Sequence, residues 1–121
     1  MSANVLPFFG AWGRLILRIR IYMFEIEDNK DSRVYILYSD EILNNLKLFE
    51  ESVERFIKTD DRDLVLDMTN LSSLNSMFLA FLIRIKTSLF VERRIIRLVN
   101  YNESVYRSLE VAGLDSYFHF E

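Results

Sequence analysis

The chain has 121 residues, enough for one domain with its own hydrophobic core. It contains no Cys and one His, which excludes a disulfide scaffold, a thiolate zinc site and a cysteine nucleophile. With 15 basic and 18 acidic residues the net charge is −3, which argues against a general nucleic-acid-binding domain. Three Gly leave no glycine-rich phosphate loop. These counts lead us to expect no cofactor and no metal ion.

The first 22 residues differ in composition from the remainder, since they contain three Arg and none of the acidic residues. They hold no run of about 18 uncharged apolar residues, so no transmembrane segment is predicted, and no basic start that would indicate a signal peptide. Alternating residues over 15–22 predict a strand. We treat 1–22 as a leader and 23–121 as the folded domain. Two alternatives stay open: the protein starts at Met23, or the leader is an arm that contacts a partner or a membrane surface.

Strands and helices alternate through the rest of the chain. Runs rich in β-branched and aromatic residues predict strands at 24–27, 33–38, 64–68, 94–99 and 117–120, of which the first two form a hairpin. Apolar residues at helical spacing predict helices at 42–57, 76–91 and 103–112. Ser39 and Asn102 are suited to cap helices, and Gly113 suits a left-handed position after the last one. The acidic run at 60–63 predicts a solvated turn.

The order of strand, helix and strand implies parallel strands joined by crossovers. In such sheets the functional loops lie beyond the carboxyl ends of the strands. The polar segment 69–75 follows the strand at 64–68 and leads into the helix that begins at Ser76, so we predict the site there. Asp67 lies at the end of that strand. We expect it to accept hydrogen bonds within the loop rather than to bind a metal ion or take a phosphoryl group.

The helix at 76–91 is apolar on more than one side. At about 100° per residue, one face is predicted to pack on the sheet: Phe78, Leu82, Ile85 and Leu89. The opposite face contains Met77, Ala80, Phe81, Arg84 and Ser88. An exposed Met and Phe beside Ser76 indicate a partner-binding surface. Three alternatives stay open for this face: cover by the leader, cover by a second copy in a homodimer, or deeper burial of the helix.

The run LVLDMTNLSSLNSMFLAFLIRI at 64–85, followed by RRIIRLVN and SVYRSLEVAGLDSYF, resembles the STAS domain of bacterial anti-sigma-factor antagonists. The resemblance covers about residues 24–120. Its most specific parts are the strand that ends in Asp67 and the spacing of Val105, Leu109, Gly113 and Leu114. It implies an α/β fold of the STAS type, with a mixed sheet of about four to five strands and helices packed mainly on one side.

The resemblance places Ser76 on the serine that a partner kinase phosphorylates in this family. It implies that the protein is a bacterial, cytoplasmic regulator and not an enzyme. Its partners would be an anti-sigma factor that is itself a serine kinase, bound when Ser76 is unphosphorylated, and a serine phosphatase that restores the free serine. A phosphate adds about −1.5 to −2 charges, which a helix N-terminus tolerates. Beside Ser76, the candidate partner-binding residues are Asn75, Met77, Ala80, Phe81 and Arg84.

Two positions depart from the family motif of Asp-Ser-(Ser/Ala)-Gly-Leu. Asn75 stands in place of the acid before the serine, and Phe78 in place of the glycine. Asn75 and Ser76 together are also an ordinary helix cap. These departures favour the alternative function, a STAS structural subunit that is not phosphorylated. Such a subunit would belong to a phospholipid-transport ABC complex or a stress-signalling scaffold.

Overall fold

The computed structural model describes residues 24–121 in full and, before them, the strands at 5–9 and 15–19. The strands are β1 Val5–Phe9, β2 Leu15–Ile19, β3 Phe24–Asp28, β4 Ser32–Leu37, β5 Asp63–Asp67, β6 Ile96–Val99 and β7 His119–Phe120. The helices are α1 Leu46–Thr59, α2 Ser76–Val91 and α3 Glu103–Val111, with a 3-10 helix at Asp40–Asn44 before α1. The alternative start at Met23 lies outside the described residues.

The described strands form one mixed sheet in sequence order from β1 to β7. Strands β1 to β4 pair antiparallel, and β4 to β7 pair parallel. Within 24–121 the sheet has five strands, which confirms the predicted mixed sheet, and the hairpin of β3 and β4 confirms the predicted opening hairpin. Leu15–Ile19 is a strand, as the alternation predicts, and it pairs with β3, so the sheet extends into the leader.

Within residues 24–121, one hydrophobic core lies between the sheet and the three helices. Alternate strand residues such as Leu64 and Leu66 join buried residues of all three helices in one cluster, which places the helices on one face of the sheet. The predicted stripe of the first helix is buried throughout: Ile42, Leu46, Phe49, Val53, Phe56 and Ile57. Gly113 has φ +76, the left-handed position predicted for it.

The predicted helix at 42–57 is divided into the 3-10 helix and α1. Ser39 caps the first piece by accepting a hydrogen bond from the Glu41 N–H at 3.1 Å. Asn45 interrupts the helix with φ −136 and ψ 51, and its side chain donates to the Glu41 carbonyl at 3.0 Å. An asparagine side chain that binds backbone in this way competes with the helical hydrogen bonds, which explains the break.

Three guanidinium groups surround the Phe56 ring at the amino ends of β5 and β6. Arg33, Arg62 and Arg94 place Cζ at 5.1, 5.7 and 5.3 Å from the ring centroid. Arg62 also binds Asp28 and Asp60, at 3.0 and 2.8 Å. Its hydrogen bond holds the pKa of Asp60 well below the usual range for a carboxyl group. The turn predicted at 60–63 is thus held by ion pairs as well as solvated, because Arg62 binds Asp60 two positions away and Asp28 34 positions away.

Candidate functional site

Three loops meet at the carboxyl edge of the parallel strands. Asp67 at the end of β5 lies opposite Ile36 of β4 on one side and Val99 of β6 on the other. The segments that follow these strands, at 38–40, 68–75 and 100–102, therefore emerge side by side. This is the edge at which the strand order predicted the site.

The carboxylate of Asp67 holds the first turn of the loop at 68–75. Thr69 donates to Asp67 Oδ1 through its N–H at 3.0 Å and through its hydroxyl at 2.6 Å. On the other side, Asn100 Nδ2 donates to Asp67 Oδ2 at 3.1 Å. Asn100 has φ 57, a left-handed conformation that asparagine tolerates better than most residues. Asp67 thus connects the loop after β5 to the loop after β6.

Two further side chains hold the middle of the same loop. Asp40 accepts from the Ser72 N–H at 2.8 Å and also from the Ser72 hydroxyl. These bonds lower the pKa of the Asp40 carboxyl below its usual value. Asn102 Nδ2 donates to the Leu71 carbonyl at 3.0 Å, while its Oδ1 caps α3 through the Val105 N–H at 2.8 Å. Sequence reasoning assigned Asn102 only to a helix start, and it did not anticipate Asp40 as a partner of Ser72 or Asn100 as a partner of Asp67.

The contact between Asp40 and Ser72 predicts a pH-dependent contribution to stability. Because the pKa of Asp40 is lower in the folded state, the contribution is fully present above about pH 4 and is lost as the pH falls below that value. We expect Asp40→Ala to reduce the free energy of unfolding by about 1 kcal/mol at pH 7, since the pair is exposed to solvent. The difference from wild type should shrink at pH 3. Urea titrations at both pH values measure it. Glu41→Ala is the neighbouring control, and an equal loss in both variants would contradict the assignment.

Ser76 is the first residue of α2, and its side chain is exposed. The preceding Asn75 is extended, with φ −111 and ψ 173, and its Oδ1 accepts from the Phe78 N–H at 2.8 Å. The Asn75 amide also donates to the Leu43 carbonyl at 3.3 Å. No acidic residue lies in the first turn of α2. The serine hydroxyl therefore lies at a rigidly capped, positively polarised helix end.

Phe78 points away from Ser76 into the core. Its side chain is fully buried and lies near the rings of Phe49 and Phe81, at centroid distances of 6.3 and 5.9 Å. A phenylalanine at the family's glycine position consequently adds core volume and leaves the surface around the serine open.

The predicted partner-binding residues on the outer face of α2 differ in their exposure to solvent. Met77 is 68% exposed and Ala80 is exposed. Arg84 is also exposed and pairs with Glu54 of α1 at 3.1 Å. Phe81 is fully buried, so its predicted place on the exposed face is wrong. The helix packs on α1 as well as on the sheet, which widens its buried face to include position 81.

No group of three or more acidic or histidine side chains within the described residues has the arrangement of a metal site. In the same part of the chain, no helix has the length and apolar character needed to cross a bilayer.

Comparison with known proteins relates this arrangement to a family. Residues 24–121 match the model of the STAS domain family. A putative anti-sigma factor antagonist from Thermotoga maritima, TM1081, is 25% identical in its crystal structure, with TM-score 0.65, over 82% of this chain and 86% of that one. The NMR structure of TM1081 matches at 22% identity and TM-score 0.68, over 79% and 78% of the two chains.

A further solved structure, that of the anti-sigma factor antagonist SpoIIAA in its unphosphorylated form, shares the fold. It is 14% identical with TM-score 0.70, over 81% of this chain and 87% of that one. No curated protein sequence matches the chain. The family match covers all of β3 to β7 and the loops that surround Ser76, so this chain belongs to the STAS domain family, with the fold of the anti-sigma-factor antagonists.

Proposed function

We propose that the protein is an anti-sigma-factor antagonist that binds a serine-kinase anti-sigma factor in the bacterial cytoplasm. Family membership over 24–121 and the likeness to TM1081 support this proposal. We assign the activity to residues 23–121, and the leader at 1–22 adds strands β1 and β2 to the same sheet. The protein acts by binding and release, and it catalyses no reaction itself.

We further propose that phosphorylation of Ser76 controls this binding. The partner kinase transfers the γ-phosphoryl group of ATP to the Ser76 oxygen, which loses its proton, and ADP is released. A phosphatase then hydrolyses the phosphoserine, which returns the free serine and releases inorganic phosphate. The single observation that carries the proposal is the position of Ser76, exposed at the first residue of α2 beside Met77 and Ala80. The unpaired N–H groups of the first turn stabilise the added charge.

The geometry supports a switch that changes the surface and leaves the fold unchanged. The loop before Ser76 is held by Asp40, Asp67 and Asn102, and Asn75 caps the helix. A phosphate on Ser76 therefore alters the charge of a fixed surface. A partner group packed against Met77 or Ala80 would then meet two negative charges and their hydration shell, which opposes binding.

The test is phosphopeptide mapping of the native protein, followed by binding of variants to its anti-sigma-factor kinase. We expect Ser76→Asp to weaken the complex at least about tenfold, or about 1.4 kcal/mol. Ser76→Ala should bind as wild type and accept no phosphate. Ser104→Asp, at an exposed serine in the first turn of α3, is the matched control. Equal affinity of the Asp and Ala variants at position 76 would remove the switch.

One observation favours the alternative, a STAS structural subunit that is not phosphorylated. The side chain that precedes Ser76 is an amide engaged in capping and in binding the Leu43 carbonyl, where the family motif has a carboxylate. A protein without phosphate on Ser76 under all growth conditions would support this alternative. Its assembly, in a phospholipid-transport ABC complex or a stress-signalling scaffold, would then be the partner to isolate.

A further inference from the structure

Helix α2 is unusual in charge as well as in apolar content. Its 16 residues include Arg84 and Lys86 but no acidic residue, in a chain whose net charge is −3. Near its carboxyl end, Phe90 is 72% exposed. Phe90 follows Ser76 by 14 positions, which is about 21 Å along a helix. An exposed phenylalanine on a basic helix is therefore present far from the candidate switch.

Phe90 forms one wall of a groove between α2 and the segment before β7. The groove has a volume of about 210 Å³ and is lined by Lys86, Thr87, Phe90 and Tyr117. Lys86 Nζ lies 5.6 Å from the centroid of the Phe90 ring and 4.9 Å from that of Tyr117. We call these four residues the aromatic groove. Two aromatic walls and one ammonium group thus meet at a surface open to solvent.

The charge of Lys86 is not neutralised by the folded domain. Among the residues that the structure describes, Lys86 has no acidic side chain within ion-pair distance. Arg84, two residues earlier on α2, is paired with Glu54 at 3.1 Å. The ring faces attract the Lys86 ammonium only weakly at an exposed site, so its hydrogen-bond donors stay available for a carboxylate.

We infer that the aromatic groove docks a segment of a partner protein that presents an apolar side chain next to an acidic one. The apolar side chain would cover Phe90 and Tyr117, and the carboxylate would pair with Lys86. The positive charge of Lys86 favours this acidic occupant over the leader and over a second copy of the chain. The leader at 1–22 contains no acid to offer. A second copy docked by the same surface would bring two Lys86 side chains together, and like charges oppose that contact.

Docking here would be independent of Ser76. Lys86, the charged residue of the groove, follows Ser76 by 10 positions, which is about 15 Å along the helix. That separation is nearly two Debye lengths at physiological salt, so a phosphate on Ser76 has little effect at the groove. The protein would then have two surfaces on one helix, with the groove holding its partner in both states of the serine. The inference does not require Ser76 to be phosphorylated.

The test is a titration of the isotopically labelled full chain with the acetylated octapeptide Leu-Glu-Glu-Leu-Leu-Glu-Glu-Leu, followed by NMR. We expect amide shifts at Lys86, Thr87, Phe90 and Tyr117. Phe90→Ser and Lys86→Glu should each weaken binding at least about tenfold. Val111→Ser and Lys47→Glu change exposed residues outside the groove and should bind as wild type. Ser76→Asp should also bind within about twofold of wild type.

Three results would overturn the inference. The first is peptide shifts that spread over the surface or persist in Phe90→Ser. The second is equal binding of the peptide in which Lys replaces every Glu. The third is a dimer in sedimentation velocity that Phe90→Ser converts to monomer, which would assign the groove to a second copy. Weak binding by Ser76→Asp alone would contradict the independence of the two surfaces while leaving the proposed switch in place.

Discussion

Replacing Phe81 with Ala is expected to reduce the free energy of unfolding by about 3–5 kcal/mol, the usual cost of truncating a buried aromatic residue. Phe81 is fully buried, with the rings of Phe49 and Phe78 at centroid distances of 5.4 and 5.9 Å. The cavity left by the ring cannot close without moving α1 or the sheet. For a domain of this size the loss is a large part of the total stability, so we expect partial unfolding at 37 °C.

Met77→Ala is the matched control, because Met77 lies one turn earlier on the same helix and is 68% exposed. It should change stability by no more than about 0.5 kcal/mol. Urea titration followed by circular dichroism measures both variants. Similar small losses of stability in both variants would indicate that Phe81 is exposed, as the sequence predicted, and would support its partner-binding role. A loss confined to Phe81→Ala supports Met77, Ala80 and Arg84 as the exposed part of the predicted set.

Replacing Arg94 with Met is expected to reduce the free energy of unfolding by about 2–4 kcal/mol, the second largest effect among the predicted substitutions. Arg94 is 6% exposed, and its guanidinium donates to the carbonyl groups of Arg62 at 2.9 Å and Ile57 at 2.8 Å. Methionine fills similar volume but has no donor, so both carbonyl groups lose a hydrogen bond where water reaches them poorly. The same change removes the guanidinium that faces the Phe56 ring.

Arg93→Met is the matched control for Arg94→Met. Arg93 is exposed, and its φ of 60 is about as strained for methionine as for arginine, since neither side chain is favoured in the left-handed region, so the substitution leaves the backbone conformation unchanged. The free energy of unfolding of Arg93→Met should lie within about 0.5 kcal/mol of the wild-type value. Thermal and urea unfolding distinguish the two variants. If Arg94→Met is as stable as Arg93→Met, the buried guanidinium contributes nothing net, as some buried ionic groups do.

Local signals in the sequence were sufficient for most of the fold. Helix α2 begins at Ser76 and ends at Val91, as the apolar spacing and the asparagine cap predict. Asn102 caps α3, and Gly113 ends it with a positive φ. These features depend on residues at most a few positions apart, so local patterns in the sequence are enough to predict them. The strand at 117–120 is shorter than predicted, because only His119–Phe120 pairs with β6.

The candidate site was predictable in position but not in detail. The loop after β5 and Ser76 follow from the order of the strands and from the resemblance to the STAS family. The hydrogen bonds that Asp40, Asn100 and Asn102 contribute to this loop join residues more than 30 positions apart, as between Asp40 and Ser72. No pattern along the chain indicates which acid reaches which serine, since that depends on how α1 and α2 pack on the sheet.

By itself, the sequence determined the α/β fold class, the capped start of α2 and the family. All three depend on local propensity, on hydrophobic periodicity or on a motif. Only the tertiary structure decided that Phe81 is buried and that the buried Arg94 guanidinium donates to a backbone carbonyl group. It also decided that Lys86 faces Tyr117 in an open groove. The physical reason is common to these cases. Burial and charge pairing depend on neighbours from other elements, and helical spacing alone does not show how many neighbours a helix has.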